Sequence, residues 1–292
     1  HGAEGYLGSA VQLDLLSKLR EVSIPAGTTL LLVHALNPWG FSHCRRVNEE
    51  NVDLNRSFHL PGTPLPEDPP HYRKLNHFLH PTGQHLSDFM FLPQAVWNVA
   101  RYGLRPLQHA ISSGQHSYPQ GLFWQGNQPS WTMQQWDSYL DRFAPEVVLH
   151  IDFHTGLGKS GTGQIMTGQP LSEKQRAWLV QTTGDNLWNP TSPEETISGT
   201  FDNWMFHRFA EAGVISVCAE LGTEPPIQML QALRYENWAT FHGSEATRIK
   251  ARQKLKNAFC PTSAEWRNQA LQISRNWLHG MLQNLSSFPA KS

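Results

Sequence analysis

The chain opens with His1-Gly-Ala-Glu4-Gly5. A histidine and a glutamate three positions apart can grip one divalent metal ion from a single turn, provided a third ligand arrives from elsewhere. Among 15 histidines such a pair is a weak signal by itself, and a capping or surface pair is the alternative. The third ligand is expected from Val147 to Phe153 (VVLHIDF), an apolar run that reads as a strand leading into His154-Thr-Gly156. Alternate residues of a strand share a face, so His150, Asp152 and His154 point one way and Leu149, Ile151 and Phe153 the other. Burying ionisable groups without partners costs on the order of several kcal/mol each, so that polar face needs a purpose. His154, at the strand's C-terminal end, is the expected third ligand, and Asp152 and His150 lie deeper, where they can orient it.

Two further groups of residues could do chemistry. Gly213 to Ala219 (GVISVCA) reads as a buried strand that ends at Glu220, a carboxylate that either faces something polar or caps the helix following Pro225-Pro226. The segment Arg45-Arg46-Val-Asn-Glu-Glu-Asn-Val-Asp53-Leu-Asn55-Arg56 suits an anion, because guanidinium grips a carboxylate through paired hydrogen bonds. Pairing of the same arginines with Glu49, Glu50 and Asp53 in a solvated loop is the alternative.

The elements that must position these groups follow from periodicity. Leu7, Val11, Leu15, Leu19 and Val22 predict an amphipathic helix over 6–22, directly after the His1–Glu4 turn. Thr29 to Leu36 (TLLLVHAL) reads as a buried strand that delivers the Asn37-Pro-Trp-Gly40 loop at its C-terminal edge, where open α/β sheets place ligands. His59 to Pro70 is too rich in proline for helix or central strand, and 59–130 as a whole reads as a loop and helix insertion. Within it, helices are expected over 71–79 and 93–113, the second kinked or divided at Pro106. The aromatic, glycine-rich loop 118–127 either lines a pocket or is pinned to the core by Phe123 and Trp124. Beyond it come helices over 131–144, 171–184, 199–212, 227–242 and 245–258, and a short strand at 164–167. A final helix from Thr262 opens on the capping-box pattern Thr262-Ser-Ala-Glu265 and carries a core stripe of Trp266, Ala270, Ile273, Trp277, Met281 and Leu285. These elements give one α/β domain over 1–292, a mixed central sheet sandwiched between helices.

Composition narrows the partners. The 292 residues are 39% hydrophobic and 16% charged, enough for a substantial core. Lys plus Arg number 23 and Asp plus Glu 24, so no overall field favours nucleic acid or an anionic membrane. No apolar run of about 18 residues exists to span a bilayer. A small substrate is therefore expected, with no nucleic-acid and no membrane partner. Cys44, Cys218 and Cys260 are odd in number and far apart, which argues against a disulfide framework and for a reducing, cytoplasmic location.

In order and local context, His1-x-x-Glu4, Arg45-Arg46, Asp53-Leu-Asn55-Arg56, Asp152-Phe-His154 and Glu220 resemble the zinc carboxypeptidase superfamily, which includes the succinylglutamate desuccinylase and aspartoacylase branch. HGAEG, NPWGF, RRVNEENVDLNRSF, DFHTG and AELGT are most similar to a largely bacterial branch of zinc-peptidase-like proteins. The resemblance covers roughly 1–223. It implies one zinc per chain on His1, Glu4 and His154, a substrate carboxylate on Asn55 and Arg56, an oxyanion facing Arg45 or Arg46, and Glu220 as general base and acid. The expected activity is zinc-dependent hydrolysis of an amide bond in a carboxylate-bearing substrate such as a small peptide. An N-acyl-amino-acid deacylase or esterase using the same residues, and a silent metal- or peptide-binding module, are the alternatives. Three departures stand out. Glu4 and His154 are 150 positions apart, a gap long enough for the proline-rich excursion and extra helices. The tyrosine that pancreatic-type enzymes carry before the catalytic glutamate has no match, since Tyr235 follows Glu220. A ligand at position 1 also leaves the strands that normally precede it outside this sequence.

Overall fold

A computed structural model of the chain describes residues 1–60, 62–83, 86, 88–188 and 197–289. Its centre is a mixed four-stranded sheet of β1 (Val147–Gly156), β2 (Gly163–Met166), β3 (Leu187–Trp188) and β4 (Gly213–Gly222), in the order β1-β4-β2-β3. β1 and β4 run parallel over ten residue pairs, β2 is antiparallel to β4, and β3 is parallel to β2. The fold is the α/β arrangement expected, a mixed sheet flanked by helices.

The alternation along β1 decides what each face meets. Leu149, Ile151 and Phe153, with Ile215, Val217, Ala219 and Leu221 of β4, pack against α1 (Gly5–Ser17), α7 (Glu173–Thr183) and α11 (Ala264–Gln283) through Leu7, Val11, Leu179, Trp266, Trp277 and Met281. The stripe predicted on the last helix is core from Trp266 through Met281, while Leu285 lies past the helix end in a 3-10 turn and is half-buried. The helix cap is Ser263, whose Oγ accepts from Trp266 N, because the helix begins one residue later than the Thr262 pattern implies. On the opposite face α8 (Phe201–Arg208) covers the lower half of the sheet with Phe201 and Trp204, which join Phe58, Val52 and Val214. The upper half of that face carries the polar residues.

Within 59–130 the proline-rich stretch 62–65 is exposed, whereas the helices that follow are built into the body of the protein. α3 (Tyr72–Leu79), α4 (Phe91–Tyr102) and α5 (Leu104–Ser112) share one hydrophobic cluster with α9 (Pro226–His242) and α10 (Glu245–Phe259), through Tyr72, Leu75, Phe91, Leu233, Leu255 and Phe259. The expected helix 93–113 is divided into two helices, but at Gly103 and not at Pro106. Gly103, at φ 85°, makes the break, and Pro106 sits in the first turn of α5, where its missing N–H costs nothing. α6 (Trp131–Leu140) follows the aromatic loop.

Thr29 to Leu36 is not a strand. It runs as irregular chain beside α1, held by Gln12 Nε2 donating to Val33 O (2.8 Å) and by the Ser9 Oγ–His34 Nδ1 contact (3.0 Å). Leu30 and Leu31 are exposed. Apolar composition does not make a strand without a ladder partner, and this run finds none among the described residues. Asn37-Pro-Trp-Gly40 is correspondingly not a strand-end loop but the start of α2 (Pro38–His43). Asn37 Oδ1 caps Gly40 N at 2.9 Å, and Pro38 takes the first helical position.

Candidate metal centre

The first turn of the chain and the upper ends of β1 and β4 meet at one point. His1 precedes a single 3-10 turn, Gly2–Glu4, that runs straight into α1. Gly2 adopts φ 53°, and a Cβ there would lie 2.3 Å from Arg45 O and 2.5 Å from Arg46 O. Only glycine lets this turn press against the 45–46 backbone, where Ala3 N donates to Arg45 O (2.8 Å) and His1 Nδ1 meets Arg46 O (3.3 Å). That contact gives His1 Nδ1 the proton, since a carbonyl only accepts, and leaves the Nε2 lone pair for another partner.

The strand register brings the other groups. His154 of β1 is paired with Glu220 of β4, Asp152 with Cys218 and His150 with Ser216, all on one face. His154 Nδ1 lies 2.7 Å from Glu4 Oε2, and its Nε2 lies 2.8 Å from Asp152 Oδ2. His1 Nε2 is 3.9 Å from the same Glu4 oxygen and is buried with no hydrogen-bond partner. The ligand atoms of His1, Glu4 and His154 all lie within 4.8 Å of one another, and all three residues are buried. The other Glu4 oxygen, Oε1, is held by Arg46 Nη1. Asp152, by accepting from His154 Nε2, sets the tautomer that turns the Nδ1 lone pair toward Glu4 and His1.

These residues fit a divalent cation. An unpartnered buried imidazole nitrogen beside a carboxylate and a second oriented imidazole is a His₂Glu donor set. Around it the carboxyls of Glu4, Asp53, Asp152, Asp202 and Glu220 outnumber the guanidiniums of Arg46 and Arg56, an acidic surplus that favours a cation. A second set, His154, Cys218 and Glu220, also has ligand atoms within 4.8 Å of one another.

Electrostatics separates the carboxylates. Burial alone would push Asp152 up, but the His154 ring outweighs it and holds the carboxyl well below the usual range. Asp53 behaves likewise, with burial opposed and overcome by Arg46 and Arg56. Burial wins at Glu220, whose carboxyl is pushed up despite His154 and the Leu157 N–H that donates to its Oε1 at 2.8 Å. Glu220 does not cap α9, whose N-cap position is Pro225.

The loop 45–56 is a folded scaffold and not a solvated run. Asn48 Oδ1 accepts from Val52 N (2.8 Å), Asn51 sits at φ 66°, and Asp53 Oδ1 accepts from Asn55 N (3.1 Å). Glu49 and Glu50 are exposed and form no ion pair with a described residue. The two adjacent arginines diverge. Arg46 faces the centre, fixed by Glu4 and by Asp53 Oδ2 (2.8 Å). Arg45, expected as an equal candidate for the oxyanion, is tied to Glu236 of α9 (2.7 Å) and to Asn51 (3.1 Å), so its side chain is spent on a buried structural pair.

Asn55 and Arg56 are partly committed as well. Asn55 Oδ1 accepts from Phe201 N (2.9 Å) at the start of α8, which leaves its Nδ2. Arg56 donates through Nε to Ser112 O and through Nη1 to Asn55 O (2.5 Å), which leaves Nη2, and burial pushes its pKa down to about 10. Phe123 belongs to the site although its sequence context placed it no better than a core pin. Its ring packs under both guanidiniums, 5.6 Å from Arg46 and 6.0 Å from Arg56, and its backbone is left-handed at φ 56°. A bulky residue there is strained by on the order of 1–3 kcal/mol, and only the flanking glycines Gly121 and Gly126 hinted at unusual backbone.

A family model described as Protein of unknown function (DUF2817) matches residues 1–273. No curated protein matches the chain. No solved structure matches it either.

Proposed function

The chain belongs to the DUF2817 family, and from the site's geometry we propose that it is a zinc-dependent hydrolase of the carboxypeptidase type, cleaving an amide bond in a small carboxylate-bearing substrate. The observation that carries this reading is the convergence of His1, Glu4 and His154 within ligand distance, with Glu220 beside His154 in the strand register. Zinc on these three ligands would supply Lewis acidity toward a carbonyl and a water acidified toward neutrality.

The chain's own residues supply the rest. Glu220, buried and with its carboxyl pushed up, has Oε1 engaged by Leu157 N–H and Oε2 in only a long contact with Cys218 Sγ (3.9 Å), so Oε2 is the oxygen to take a proton from the attacking water and return it to the leaving amine. Arg46 brings a fixed guanidinium to the place where oxyanion charge develops, worth on the order of 3 kcal/mol in a dry site. Arg56 Nη2 and Asn55 Nδ2 offer donors to the substrate's carboxylate, so that binding aligns the scissile bond. Phe123 sets the spacing between the two arginines.

The test is hydrolysis of dipeptide and N-acyl-amino-acid libraries by the wild type and by Glu220→Gln. The variant is expected to keep its metal and to lose at least ~100-fold in kcat, the usual size of a positioned acid/base contribution. Wild-type turnover by the variant, or no hydrolysis of either library by the wild type, overturns the reading.

A further inference from the structure

α4 is a helix with apolar residues around most of its circumference, yet most of it lies in solvent. At 100° per residue, Phe91 and Ala95 point into the cluster with α3 and α5 and are buried. The opposite side, sweeping from Val99 through Leu92, Val96, Ala100 and Pro93 to Trp97, holds no polar side chain, and every one of these residues is exposed. Trp97 is 65% exposed, Val96 67% and Leu92 58%, and Phe89, just before the helix, is 85% exposed. At 150–250 Å² for a large aromatic side chain, Phe89 and Trp97 alone bare roughly 300 Å² of apolar surface. Leu104, at the start of α5, extends the patch. A helix apolar over most of its circumference is normally covered, and exposed apolar surface on this scale often marks a contact surface.

Charge identifies the partner. No Asp or Glu occurs between Asp88, which directly precedes Phe89, and Asp137, whereas Arg101 and Arg105 are both exposed on the hairpin that carries the patch. Arg101 follows Trp97 by four residues and so borders the apolar face. The net charge of the whole chain, -1, conceals this local asymmetry. A second copy of the chain docking on the same face about a two-fold axis would bring like charges together. An anionic lipid surface accepts both features: aromatic and aliphatic side chains enter the acyl boundary while arginines meet the headgroups. Insertion of this kind needs no spanning helix, and no described helix is long and apolar enough to be one.

We propose that the α4–α5 hairpin is a membrane-surface docking element, with α4 lying in the interface of an anionic bilayer on its Leu92, Val96, Trp97 and Val99 face. The proposal is independent of the hydrolase reading. It is tested by flotation of the full chain with vesicles of phosphatidylcholine alone and of phosphatidylcholine with phosphatidylserine, at low and high salt. The wild type should float with the anionic vesicles, far less with the neutral ones, and less at high salt. Trp97→Glu, on an exposed side chain, should cut binding at least ~10-fold, and Arg101→Gln about 5-fold, with unchanged circular dichroism and urea midpoint. No flotation with either vesicle overturns the proposal, as does flotation undiminished in Trp97→Glu. A concentration-dependent dimer that Trp97→Glu dissociates, without vesicle binding, reassigns the face to a protein contact.

Discussion

Gly2→Ala removes the one residue type that fits between the metal-binding turn and the arginine loop. At φ 53° an alanine is disfavoured by about 1–2 kcal/mol relative to its ordinary conformations. Its Cβ would also lie 2.3 Å from Arg45 O, where real Cβ contacts begin near 3.0 Å, so the two backbones must part by at least about 0.7 Å. The displaced segments carry His1 on one side and Arg46 on the other, and the Ala3 N to Arg45 O hydrogen bond at 2.8 Å lies between them. Adding the conformational cost to a weakened hydrogen bond and an overpacked contact gives a destabilisation of about 2–4 kcal/mol. Urea unfolding measures that quantity, and competition with a chromophoric chelator measures zinc affinity. Affinity should fall at least ~10-fold, since metal sites depend on ligands held closely in place. Wild-type stability together with wild-type zinc affinity would refute the claim that this close approach positions His1.

Two other substitutions separate structural from chemical residues. Arg45→Met strands Glu236 in the core and should cost about 3–5 kcal/mol in urea unfolding, while zinc per folded chain stays at the wild-type level. Asp14→Asn removes a paired grip from Arg275 Nε (2.8 Å) and Nη2 (2.7 Å) that joins α1 to α11. The bonds from Arg275, aided by Lys18, lower the Asp14 pKa from 3.8 to about 2. A carboxylate whose folded pKa is depressed stabilises the fold above its unfolded pKa, and the contribution is lost as pH falls through the folded value. Because Arg275 is about one-third exposed, solvent screening limits the loss in Asp14→Asn to about 1 kcal/mol at pH 7, and the difference from wild type should shrink as pH falls from about 4 toward 2 in a pH series of melting curves.

What the sequence revealed, and what it hid, follows from the range of the interactions involved. The shared face of His150, Asp152 and His154 is a two-residue period built into any strand, so it was legible before any partner was known. That His154 would pair with Glu220 was not, because register is set by contacts between strands far apart in the chain. Thr29 to Leu36 misled for the same reason: its composition suits a strand, but a strand exists only by pairing. Arg45 and Arg46 are the same residue type in adjacent positions, and what divides them is Glu236, some 190 residues away on α9. Phe123 carried no signal in its type, since a phenylalanine at positive φ is an exception imposed by the packing around it. The helix pattern at α4 was visible, but its apolar outer face gave no sign that the fold leaves it uncovered.

The central claim stands or falls on whether His1, Glu4 and His154 hold one metal ion. Elemental analysis of the purified chain, beside His154→Ala and Glu4→Ala, addresses it without reference to any substrate. About one zinc per wild-type chain is expected, and little in either variant, since each loses one of three protein ligands. Full metal occupancy in both variants, or a wild-type chain that takes up no zinc when equilibrated with it, would contradict the account.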